Sequence, residues 1–164
     1  MNLRDFEKIK FEQFRIDIDE DQQLYEEYLL PKRSTKNSAA YDFFAIRDFT
    51  LQPGEILQIP TGYKCRMQPN EVLLLLVRSS QGFKYNIRMC NQVGVIDSDY
   101  YNNTTNEGHF WVALQNEGTK EYNVKKGEAY AQGMFINYLI TDSDESDGIR
   151  TGGLGSTNRG EDEK

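Results

Sequence analysis

The chain has 164 residues, 38% of them hydrophobic and 12% aromatic, and a formal net charge of −7. That length builds one domain of ordinary size with a real core. The acidic balance argues against a nucleic-acid polymer or an anionic membrane as a direct partner, because phosphate backbones demand clustered Lys and Arg, yet it leaves room for one small phosphorylated ligand held by local donors and a metal ion.

Ten Tyr and nine Phe favour β structure. The opening Met1-Asn2-Leu3-Arg4-Asp5 is no signal peptide and no apolar run is long enough to span a membrane, so a cytoplasmic location is expected. Residues 9–18 alternate imperfectly and read as a first strand. Residues 19–30 are acidic, with Leu24 and Tyr28 at helical spacing, and read either as a short helix or as a long ordered loop. Residues 32–38 form a polar loop. Residues 41–45 and 55–59 are short strands separated by the turn signal Pro53-Gly54. Residues 72–77 are a continuous apolar run, as in a strand covered on both faces. Further strands fit residues 86–89, 109–114, 121–124 and 134–140. Many short strands and few helical patterns indicate an all-β sandwich or jelly roll, with no internal repeat.

Cys65 and Cys90 have no metal-ligand spacing and read as buried or partly buried thiols in a reducing compartment. His109, the only histidine, sits beside Phe110-Trp111-Val112 and reads as a strand residue rather than a catalyst; no structural zinc site is expected. The composition changes at Thr141. Residues 1–140 are expected to form the domain, and residues 141–164 a flexible Gly-rich arm. Within that arm, Arg150 followed by Gly152-Gly153-Leu154-Gly155-Ser156-Thr157 has the makings of an anion clamp: close backbone approach, hydroxyl donors and a guanidinium.

The most informative stretch is Gly94-Val95-Ile96-Asp97-Ser98-Asp99-Tyr100. A strand alternates its faces, so Asp97 and Asp99 point the same way if the strand continues. Acids there cost free energy unless they bind something, and an adjacent Tyr can wall a flat ligand.

Five segments in order resemble the trimeric dUTPase family: Ala39 to Ala45, Arg78-Ser79-Ser80-Gln81-Gly82, Gly94 to Tyr100, Gly127-Glu128-Ala129-Tyr130-Ala131-Gln132, and Arg150 to Asn158. The resemblance is nearest to the dUTPases of staphylococcal phages. It implies a jelly-roll subunit of a homotrimer whose active sites each draw on all three chains. It also implies Mg2+-assisted hydrolysis of dUTP to dUMP and pyrophosphate. On this resemblance Asp97 deprotonates the water that attacks the α-phosphorus, and Tyr100 packs on the deoxyribose and leaves no space for a 2′-hydroxyl. Asn91, with Gly94 and Ile96, belongs to a uracil-binding hairpin. Arg78, Ser79, Ser80 and Gln132 bind phosphate. Asp42 organises waters around the magnesium. Arg150, Leu154, Gly155, Ser156 and Thr157 close over the ligand.

The chain departs from the family pattern in several places. Leu154 stands where an aromatic usually covers the base, and Arg150 is one residue nearer the glycine pair. Ala129 replaces a usual Arg, and residues 102–106, Asn-Asn-Thr-Thr-Asn, are a polar insertion after Tyr100. Two other readings compete. A dCTP deaminase shares the fold, but no motif for its extra catalytic groups is present. A regulatory protein-binding module is the other: some staphylococcal phage members bind a pathogenicity-island repressor, and an acidic surface with a loop emerging near the nucleotide site suits such a partner.

Overall fold

Along a strand, side chains alternate between two faces, and in this chain one face is packed with rings while the other carries the polar chemistry. The computed structural model describes residues 3–155. In chain order its elements are β1 (Asp5–Lys8), α1 (Phe11–Asp17), α2 (Gln22–Glu27), β2 (Tyr41–Phe44), β3 (Phe49–Leu51), β4 (Ile56–Pro60), β5 (Tyr63–Arg66), β6 (Glu71–Leu76), α3 (Ser79–Tyr85), β7 (Ile87–Met89), β8 (Gly94–Asp97), β9 (Trp111–Asn116), β10 (Tyr122–Val124) and β11 (Ala129–Asn137). One antiparallel sheet has the order β2-β11-β6-β8 and a second the order β4-β9-β7, with the two-stranded pairs β1-β5 and β10-β3 beside them. This is the all-β jelly roll that the sequence predicts. No helix of the described residues is long and apolar enough to cross a membrane.

The core joins the sheets through rings. Phe43 of β2 lies 5.8 Å from Tyr63 of β5 and 5.7 Å from Phe110 just before β9, and all three are almost fully buried. Leu73 and Leu75 of β6 and Val112 and Leu114 of β9 fill the space around them. Burying such a side chain contributes about 1.5–3 kcal/mol.

The N-terminal segment differs from its sequence reading. Residues 9–18 are not a strand: pairing is confined to β1 on β5, and α1 follows. Phe11, Phe14 and Ile18 recur at helical spacing, and Phe14 is completely buried between Tyr25 and Tyr28. Residues 19–30 take the helical alternative. The Asp21 carboxylate accepts from the Gln23 and Leu24 amides as the N-cap of α2, and the Tyr28 hydroxyl donates to the Gly62 carbonyl. The structure adds β1, β3, β5 and α3, which the sequence pattern does not mark. β11 ends at Asn137, earlier than expected, leaving Leu139 and Ile140 exposed. Cys65 is buried, and burial pushes its thiol up to about 12; Cys90 is exposed rather than buried.

His109 precedes β9 instead of lying in it, and it pins α1 to the barrel. The Gly62 amide donates to Nε2 at 2.9 Å, so Nδ1 carries the proton and donates to Asp17 at 2.5 Å. Burial depresses the His109 pKa, opposed by Asp17. The folded pKa is therefore below the unfolded one. The stability from this site is complete above the ordinary histidine value and is lost as pH falls below it. Thermal melts between about pH 8 and about pH 5 are expected to show this loss, and His109→Gln, which can keep both hydrogen bonds without titrating, is expected to flatten that part of the profile.

Candidate active site

β8 positions the central acid. It pairs antiparallel with β6, with Leu75 opposite Gly94, Leu73 opposite Ile96 and Val72 opposite Asp97. Gly94 and Ile96 face inward, so Val95 and Asp97 face outward. A Cβ on Gly94 would lie 2.8 Å from that of Leu75, so the close approach of these strands requires glycine. The strand ends at Asp97 and residues 98–100 form a single 3-10 turn. The two acids nonetheless converge, because Arg150 bridges them. Its Nη2 lies 2.6 Å from Asp97 Oδ2 and its Nε 2.8 Å from Asp99 Oδ1, with the guanidinium 5.6 Å from the centre of the Tyr100 ring. Burial works against the Arg150 charge, but Asp99 and Asp97 outweigh it and hold the guanidinium more firmly charged.

Asp97, Asn91, Ile96, Tyr100, Arg150, Leu154 and Gly155 line one cavity of about 420 Å³. Asn91 comes from the turn between β7 and β8. Gly94 is beneath this cavity, packed on Leu75. Ser156 and Thr157 lie outside the described residues.

A second cavity of about 580 Å³ gathers Asp42, Arg78, Ser79, Ser80 and Gln132. Asp42 is buried, with Oδ1 3.0 Å from Arg78 Nε, while Ser34 Oγ donates to Oδ2 at 2.5 Å. Arg78 also donates from Nη1 to the Ala129 carbonyl at 3.2 Å. Its amide donates to Gln81 Oε1 at 2.7 Å, which fixes the start of α3 and leaves Ser79 and Ser80 at the cavity. Gln132 donates from Nε2 to the Val77 carbonyl. The two cavities share no lining residue. Asp42 on β2 is level with Gln132 and Leu76, whereas Asp97 pairs with Val72. Four residues along β6 and three strand spacings across it separate the two acids by about 20 Å.

Arg150 therefore sits with the acids, not with the phosphate-type donors among which its sequence context places it. The 102–106 insertion does reach the mouth of the first cavity, but its side chains are occupied. Asn103 accepts from the Thr105 and Asn106 amides and donates to the Tyr100 carbonyl, closing the loop on itself. Asn106 Nδ2 donates to the Tyr100 hydroxyl at 2.9 Å and to the His109 carbonyl at 3.0 Å. Thr104 Oγ1 donates to the Thr151 carbonyl of the arm at 2.6 Å, and a Cβ on Gly153 would lie 3.0 Å from Thr105 Oγ1. Sequence reasoning missed Ser34, the Thr104–arm contact and Trp111 of β9, which also lines the first cavity. Only Trp111 had a signal: it shares the outward face of β9 with Ala113, between buried Val112 and Leu114.

The family model described as dUTPase matches residues 26–161. The deoxyuridine 5′-triphosphate nucleotidohydrolase of Lactococcus lactis is 48% identical over 130 residues, covering 78% of this chain and 87% of that protein. The crystal structure of dUTPase from Streptococcus mutans superposes with a TM-score of 0.67 at 38% identity, covering 84% of this chain and 98% of that one. A mutant dUTPase from phage phi11 of Staphylococcus aureus, whose structure shows the coordination of a structural Mg(II) ion, shares the fold with a TM-score of 0.65 at 17% identity, covering 90% of this chain and 98% of that one.

The contact between loop and arm is directly testable. Thr104→Val removes one hydroxyl donor without changing shape. It is expected to speed proteolysis of the segment between Thr141 and Arg150 roughly threefold to tenfold, the effect of one lost hydrogen bond. Equal cleavage rates in variant and wild type would remove this contact from the docking of the arm.

Proposed function

The chain belongs to the dUTPase family, and from that premise we propose how its residues divide the hydrolysis of dUTP to dUMP and pyrophosphate. The observation that carries the reading is the convergence of Asn91, Asp97 and Tyr100 on one cavity. Asp97 orients the attacking water and takes its proton; a carboxylate at the open end of a strand can accept several hydrogen bonds at once. Tyr100, buried and held by Asn106, forms a fixed wall under the sugar, so a 2′-hydroxyl meets an unyielding surface. The Asn91 amide matches the donor and acceptor edge of uracil.

Arg78, Ser79, Ser80 and Gln132 take the phosphates. Among the described residues no cluster of three or more His, Cys, Asp and Glu could cage a metal. Asp42 has both oxygens engaged by Arg78 and Ser34, each with a lone pair to spare. That donor set fits Mg2+ held mainly by substrate phosphates and met by Asp42 through water. Bound there, Mg2+ would neutralise charge on the triphosphate. Ser156 and Thr157 are assigned to the outer phosphates by their sequence motif.

Two separate cavities whose acids, Asp97 and Asp42, stand about 20 Å apart suit a site closed between copies, with the base and water half from one chain and the phosphate half from another. We therefore assign the working form as a homotrimer. The comparisons do not favour the dCTP deaminase alternative, and an ammonia-release assay with dCTP separates the two. A repressor bound at the 102–106 loop would have to compete with the arm for Thr104; the likeness to the phage enzymes supports the fold alone.

Asp97→Asn is expected to keep the oligomer and lower dUTP turnover by two to four orders of magnitude, roughly the effect of removing a general base. Near-normal turnover of the purified variant would refute the assignment. Mixing tests the divided site. Asp97→Asn and Arg78→Ala are each expected to be inactive, and refolded together in equal amounts they should regain about a quarter of wild-type sites if each site spans two chains. No recovery in mixed oligomers would mean that each chain closes its own site.

A further inference from the structure

Trp111 is the single tryptophan of the chain and opens β9. It is 40% exposed, and it lines the cavity that holds Asn91, Asp97 and Tyr100. Of the other rings at that cavity, Phe110 is buried in the core, and Tyr100, buried with its hydroxyl tied to Asn106, is assigned to the sugar. His109 supports the Trp111 ring from behind at 5.6 Å and 44°. Two residues on along the same face, Ala113 has only a methyl group, which leaves room beside the indole. Leu154 of the arm lines the same cavity and is 99% exposed, an apolar side chain with nothing yet to cover.

A large indole left open on a strand costs hydration free energy unless something flat covers it. We propose that Trp111 is the fixed aromatic surface of the base subsite, and that the pyrimidine ring lies between the indole and Leu154. This rests on the reading that the cavity receives the uracil of dUTP. The arrangement puts the aromatic contact on a rigid strand and leaves the arm to supply only an aliphatic cover. Base recognition by ring contact would then precede closure of the arm. The contact is tolerant of base identity, because every base has a π-face; selection among bases stays with the Asn91 hairpin.

The test uses the intact chain and its own fluorophore. dUMP is titrated while Trp111 emission is followed, and dUMP binding is measured in parallel by calorimetry. A saturable change in emission tracking the calorimetric isotherm is expected, and deoxyribose 5-phosphate, which lacks the base, is expected to leave emission unchanged. Trp111→Leu is expected to weaken dUMP binding roughly fivefold to a hundredfold, the range of a lost base–aromatic stack, while Trp111→Phe keeps most of it. The half-exposed position makes both substitutions compatible with the fold, and the wild-type titration stands without them. dUMP binding with unchanged emission overturns the proposal, as does an equal emission change with deoxyribose 5-phosphate or wild-type affinity in Trp111→Leu. If the wild-type chain neither binds dUMP nor hydrolyses dUTP, the functional reading falls and takes this proposal with it.

Discussion

The pairing of β8 with β6 at Gly94 is the constraint on which the site depends. Leu75 occupies the space where any side chain at position 94 would stand, so the strands meet there in one register. With a period of two, that register sends Val95 and Asp97 outward and Ile96 inward. A slip of one residue would bury Asp97 against the Phe43–Tyr63–Phe110 cluster, at the cost of an unpaired carboxylate in an apolar core. Packing inside the barrel therefore dictates where the acid points. The strand ends at Asp97, and the 3-10 turn that follows brings Tyr100 under the cavity.

The arm reads that geometry from outside. Arg150 meets two carboxylates and the face of Tyr100, while Thr104 and the narrow space at Gly153 guide the backbone. These are exchangeable contacts. A guanidinium held by half-exposed carboxylates gains little from them in water, because solvent screens the pairs. A triphosphate offers more negative charge to the same fork of donors. On the proposed function, charge competition of this kind would free Asp97 when substrate arrives, so that Arg150 would serve both the resting acid and the loaded site. The insertion after Tyr100 works at the same point: Asn103 closes the loop, Asn106 steadies the tyrosine and Thr104 holds the arm.

Most strands were legible because alternation and apolar runs are local properties. β6 and the segment from Gly94 to Tyr100 could be read directly, whereas the gathering of Arg78, Ser79, Ser80 and Gln132 was implied only by the family resemblance. The N-terminal segment misled because residues 9–18 alternate only imperfectly, whereas the spacing of Phe11, Phe14 and Ile18 was helical, and that spacing prevailed. The partner of Arg150 was not legible. Its sequence neighbours suggested phosphate, but Asp97 and Asp99 lie more than fifty residues away in sequence and only folding brings them near. The Ser34–Asp42 hydrogen bond crosses a loop with no periodic signal. Trp111 was readable as a strand residue, but its cavity is made by the β7–β8 turn and the arm, which no local pattern predicts.

Ala129 raises the question of how the phosphate cavity balances charge. An alanine there brings no cation, and its carbonyl instead accepts a hydrogen bond from Arg78. Among the described residues lining that cavity, Arg78 is the single cation, and Asp42 lies against it. The lining is thus close to neutral, while a triphosphate carries several negative charges. Hydroxyl and amide donors at Ser79, Ser80 and Gln132 can orient oxygens but cannot neutralise them. The missing positive charge has to arrive with the ligand or from another segment. On the proposed function, a divalent cation on the phosphates would supply it in one way and the guanidinium of Arg150 in another. A site built so would hold a triphosphate well only with those cations in place, which would make binding of the phosphate chain and closure of the arm parts of one event.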